Sequence, residues 1–153
     1  SSAQSSQTPD ATLTVKVDGL ILLEASPNYA LRGETDEHAD NHWIDSVAKD
    51  SLNQAAEAFL NARWNTNSEK MLINDISLKG GGGFDIFGGW VRDIDSQCKS
   101  FGHCSHRLGL DVDIENLNRL RQLINIFESR GWTFIDEGQL TRGSTRYPHF
   151  RFE

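Results

Sequence analysis

Residues 109–115 read Gly-Leu-Asp-Val-Asp-Ile-Glu, apolar and acidic in strict alternation. Successive side chains of a β-strand point to opposite faces. The run therefore predicts a strand with Leu110, Val112 and Ile114 on one face and Asp111, Asp113 and Glu115 on the other. Residues 147–153 repeat the device. Pro148, Phe150 and Phe152 share one face; Tyr147, His149, Arg151 and Glu153 share the opposite one. If the two strands pair in one sheet, helices can cover the apolar side and His149 comes near Asp113 on the polar side. His106 stands in the turn entering the first strand and can fold back over its acidic face.

The remaining segments fit around such a sheet. Residues 12–24 alternate and then turn continuously apolar, as a strand or a hairpin broken at Asp18-Gly19. Residues 26–43 read as a loop. A helix is expected over 46–62, capped by Asp45, with Val47, Leu52, Ala55, Ala56, Phe59 and Leu60 as its apolar stripe. Residues 71–78 form a short strand, followed by a Gly-dense loop. A second helix is expected over 116–131, with Leu117, Leu120, Leu123, Ile124 and Phe127 inward and Gly131 as its stop. Residues 132–137 and 147–153 close the chain as strands. Helices and mainly antiparallel strands in irregular order predict an α+β fold.

Composition bounds the function. The chain has 153 residues, which suits one domain over 11–153 behind a Ser-rich linker at 1–10. The net charge of −7 and the lack of any Lys/Arg-dense stretch argue against nucleic acid or an anionic membrane as partner. No apolar run approaches the ~18 residues of a membrane span. Cys98 and Cys104 are six residues apart, which suits a short-loop disulfide in an oxidising compartment or two free thiols. Their spacing is not that of a cysteine zinc site.

One carboxylate and two imidazoles, Asp113, His106 and His149, can make a three-ligand zinc set that leaves a fourth position for water. Spacing alone leaves a second reading open, a solvated acidic strand face. The longer string Ser-His-Arg-Leu-Gly-Leu-Asp-Val-Asp-Ile, residues 105–114, resembles the His-x-x-Gly-x-x-x-Asp motif of the lysostaphin-associated (LAS) zinc peptidases. That family includes the D-alanyl-D-alanine carboxypeptidases and dipeptidases. The string is most similar to the penicillin-insensitive murein endopeptidase branch. Residues 75–90 also resemble a segment preceding this motif in related bacterial proteins. Those families end in His-x-His with Arg two residues on, and the terminal Tyr-Pro-His-Phe-Arg anchors on Arg151 to put His149 at the second His.

The resemblance covers most of the chain from Met71 onward. It implies a Hedgehog/DD-peptidase fold, Zn2+ held by His106, Asp113 and His149, and hydrolysis of peptidoglycan peptides outside the cytoplasm. The chain departs from the family at Tyr147, in place of the first His of the pair, and at Arg146, where some members carry a catalytic Glu. Those departures motivate a rival, a metal-retaining binding module of the same fold without hydrolysis. A purely structural domain without metal is a third reading.

The proton acceptor is left open among His103, Asp111, Asp136 and Glu137. His103 stands three residues before His106, where murein-endopeptidase-like sequences often carry His. Tyr147 could donate to an oxyanion or merely end the strand. Asp111 reads better as a carboxylate orienting a ligand than as a fourth ligand, and Glu115 as lying beyond the site. Asp85 after the Gly run could bind substrate or serve turn chemistry. Arg107, Arg146, Arg92 and Arg142 could grip a substrate carboxylate. His42 or Trp43 could line the cleft. His38 and His42 have the spacing of a zincin motif, but Ala39 stands where its Glu belongs.

Overall fold

A computed structural model describes residues 17–34, 41–77, 106, 108–136 and 147–153. The elements are β1 (Leu20–Leu22), β2 (Tyr29–Leu31), β3 (Trp43–Asp45), α1 (Ser46–Leu60), β4 (Met71–Ile73), β5 (Asp111–Asp113), α2 (Leu120–Glu128), β6 (Trp132–Ile135) and β7 (His149–Phe152). The fold is α+β. None of the described helices is long and apolar enough to cross a membrane.

β5, β7 and β6 form an antiparallel sheet with β7 in the middle. β1 pairs antiparallel with β3, and β2 pairs parallel with β4. The parallel pair is reached through α1, the long crossover that parallel strands require. An antiparallel bridge between Ile73 and Ile114 ties β4 to the strand carrying the acidic alternation. Asn116 reinforces that join, accepting from Leu72 N and donating to the Lys70 carbonyl.

The apolar face of the three-stranded sheet packs on α2. Phe127 stacks on Phe150 with ring centroids 4.2 Å apart, and meets Trp132 edge-on at 5.4 Å. Val112, Ile114 and Phe150 are fully buried, as the alternation predicts. α1 lies against α2. Ser51 Oγ donates to the Arg130 carbonyl and accepts from Trp132 Nε1. Asp45 caps α1 as expected, its Oδ1 accepting from Val47 N at 2.8 Å.

Three expectations need correction. Val47 does not join the α1 stripe but is 67% exposed, because the buried stripe is Ala48, Leu52, Ala55, Ala56 and Phe59. One residue is a turn of about 100° around the helix, enough to carry Val47 off that stripe. The segment 26–43 is not all loop, since it holds β2 and enters β3. The second helix begins with a 3-10 turn, Leu117–Arg119, and Leu117, Leu120 and Ile124 are only half-buried. Gly131 does end that region, with φ of +81°. The linker at 1–10 and the strand start before Val17 lie outside the described residues.

Candidate metal centre

The register of β5 and β7 sets the site. Asp113 lies directly opposite His149, and Asp111 opposite Arg151. Directly opposed residues share a face, so the polar groups of both strands meet on the side away from α2. One pair further on, Ile114 N donates to the Pro148 carbonyl at 2.9 Å. The next residues are Glu115 and Tyr147, and the charge of Glu115 acts on the Tyr147 phenol, so Glu115 stands beside the site rather than beyond it.

His106 reaches the same face from the turn before β5. Gly109 makes that turn possible. Its φ is +68°, and its Gly109 N donates to the His106 carbonyl at 2.9 Å. A β-carbon there would strike Leu20 Cδ2 and lie 2.6 Å from Asp45 N. Glycine is needed twice over, for the left-handed backbone and for the approach of β3.

His106, Asp113 and His149 each offer a ligand atom, all within 4.8 Å of one another. Asp113 Oδ1 is 3.7 Å from His106 Nε2 and 3.4 Å from His149 Nδ1. A tetrahedral zinc with bonds near 2.05 Å places its ligand atoms about 3.4 Å apart. The donor set and its spacing therefore suit a divalent metal ion. The two imidazoles are buried, and the Asp113 side chain is 14% exposed, so the set opens at its carboxylate.

Each imidazole is oriented by a bond on its far side. His106 Nδ1 lies 2.7 Å from the Ile76 carbonyl, which can only accept, so that nitrogen carries the proton. When that ring is neutral, as a metal ligand must be, its Nε2 lone pair is turned toward Asp113. His149 Nε2 lies 2.7 Å from Asp111 Oδ1, which also accepts from Arg151 Nε at 2.9 Å. His149 thus presents Nδ1. Such outer bonds are the usual support of metal-ligating histidines. Burial would raise the Asp111 carboxyl, but the His149 hydrogen bond and the charges of His149, His106 and Arg151 outweigh it. The net effect holds the group below the ordinary carboxylate range. Asp111 is therefore ionised and committed to His149 and Arg151, as an orienting group rather than a proton acceptor.

Asp75 is a neighbour that sequence reasoning missed. Asn74 N donates to the Asp113 carbonyl at 2.8 Å, while Asp113 N donates to the Asp75 carbonyl at 2.9 Å. Two residues just after β4, Asn74 and Asp75, thus oppose one residue of β5, the arrangement of a β-bulge. Regular pairing resumes where Glu115 N meets the Leu72 carbonyl at 2.8 Å. The Asp75 carboxylate accepts from Asn41 Nδ2 at 2.5 Å and from Asn74 Nδ2 at 3.3 Å.

Tyr147 is half-buried. Burial first, then the charges of Glu115, Asp75 and Asp113, push its phenol above the ordinary value. It is a protonated donor at neutral pH. His42 is buried; its carbonyl accepts from Leu23 N at 2.8 Å and its Nε2 has no hydrogen-bond partner among the described residues. Asp136 is exposed at the end of β6. His103, Asp85, Arg107, Arg146, Arg92, Arg142, Glu137, Cys98 and Cys104 lie outside the described residues, and the expected disulfide with them.

No family model matches the chain, and no curated protein matches it.

Proposed function

We propose that the protein is a zinc-dependent metallopeptidase of LAS type, with a Hedgehog/DD-peptidase fold, acting on peptide bonds of peptidoglycan outside the cytoplasm. The observation that carries the reading is the convergence of His106 Nε2, Asp113 Oδ1 and His149 Nδ1, each imidazole locked by a proton on its other nitrogen. The choice of zinc rests on the two-imidazole, one-carboxylate donor set and on the motif resemblance.

When bound, zinc supplies Lewis acidity that polarises a carbonyl and acidifies water near neutral pH. The chain's own residues do the rest. Asp111 holds His149 in one tautomer, and Arg151 holds Asp111. The Ile76 carbonyl holds His106. Tyr147, kept protonated by burial and by the acids around it, donates to the negative oxygen that develops at the attacked carbonyl. With Asp111 committed to His149 and Arg151, proton acceptance falls to one of His103, Asp136 and Glu137.

The second reading, a metal-binding module without hydrolysis, is favoured by two departures from the family, Arg146 in place of Glu and Tyr147 in place of His. Turnover separates the two. Purified muropeptides incubated with the zinc-loaded protein, with and without chelator, are analysed by mass. Chelator-sensitive cleavage supports the peptidase. Intact muropeptides beside a stoichiometric metal support the binding module.

A further inference from the structure

We propose that the face beside the metal centre binds its peptide through a primary ammonium group, received by Asp75 and Glu115 next to Tyr147. Two observations carry this. The first is that acids converge there without matching cations among the described residues. Backbone bonds set Asp75 against Asp113. Glu115, two residues after Asp113, comes beside Tyr147, two residues before the His149 that opposes Asp113, and the charges of Glu115 and Asp75 both act on that phenol. Among the described residues neither Asp75 nor Glu115 is paired with a lysine or arginine. Arg151, the cation that touches the site, is taken up by Asp111. The second is an orphaned acceptor at the same place. Asn41 is fully buried, and its Nδ2 is fixed by two acceptors, the Asp75 carboxylate and the Asn74 carbonyl. That fixes the amide's sense, so Oδ1 is the remaining acceptor, and it has no donor among the described residues. A carboxylate and the oxygen of the amide that bonds to it, both lacking a cationic donor among the described residues, call for a group with several N–H bonds. An ammonium has three.

The inference rests on the peptidase reading for its choice of a peptide, but its readout is binding and not turnover. The probe is the tripeptide Lys-D-Ala-D-Ala in four forms: unmodified, α-N-acetylated, ε-N-acetylated and doubly acetylated. Binding is measured by calorimetry to the full chain, zinc-loaded and metal-free. The proposal expects the doubly acetylated form to bind about tenfold more weakly than the best amine-bearing form, the scale of one charge-assisted contact. The two singly acetylated forms tell whether the α- or the ε-amine is the one received. In Asp75→Asn, which keeps the acceptor for Asn41, the preference shrinks to about twofold or less, and Glu115→Gln reduces it in part. Metal content, measured in parallel, stays at the wild-type level in both variants. Equal binding of all four forms, no binding of any, or an undiminished preference in both variants overturns the proposal. A clear amine preference without cleavage leaves it standing while removing the peptidase reading.

Discussion

The Nε2 of His149 lies 2.7 Å from Oδ1 of Asp111, across the imidazole from the nitrogen that faces Asp113. A residue two positions before one ligand thus orients another on the neighbouring strand. Removing the Asp111 charge with Asp111→Asn should weaken metal affinity about 10- to 100-fold, the usual effect of losing such a support. Competition with a chromophoric chelator measures it. Unchanged affinity would mean that His149 needs no orienting carboxylate.

The same carboxylate has a pH signature. Its pKa is lowered in the fold, so it stabilises the protein above the ordinary carboxylate value of about 3.9 and ceases to do so as pH falls through the lowered value. Arg151 is one of the charges that lower it. Arg151→Met should therefore move the acid unfolding midpoint of the metal-free protein to higher pH, followed by circular dichroism. A midpoint that stays put or falls would contradict the assignment.

Gly109 is required by both its backbone angle and the nearness of Asp45. Gly109→Ala should cost about 2–4 kcal/mol, from left-handed strain plus overpacking against β3. Urea unfolding checks this. A loss below about 1 kcal/mol would show that the turn can relax at little cost.

Phe127 joins α2 to the sheet through its stack on Phe150. Phe127→Ala should lose about 3–5 kcal/mol, because the cavity opens under a sheet that cannot collapse onto the helix. The same denaturant titration reads it.

Much of the site was legible from alternation. The period-two runs put Asp113 and His149 on faces that the register then opposed, and Asp111 appeared as an orienting group. The α1 cap at Asp45 followed from residue type alone. What escaped notice had no periodic signature. β2 is only three residues long, Tyr29–Leu31, too short for a period to show, and its parallel partner lies beyond a whole helix. Asp75 owes its place to a bulge, and an extra residue in one strand is visible only against the strand it pairs with. Glu115 follows Asp113 on one strand, whereas Tyr147, on whose phenol its charge acts, comes from another, and a single strand's alternation does not show that neighbour. Asn41 sat in a stretch read as loop, although its amide holds Asp75.

The central claim is that His106, Asp113 and His149 hold a metal ion, and metal content tests it most directly. The protein is equilibrated with zinc, dialysed free of excess and analysed by plasma mass spectrometry beside Asp113→Ala, with folding of both checked by circular dichroism. The account predicts stoichiometric zinc in the wild type and little in the folded variant. A wild type that retains no zinc, or a variant that holds as much, would contradict it.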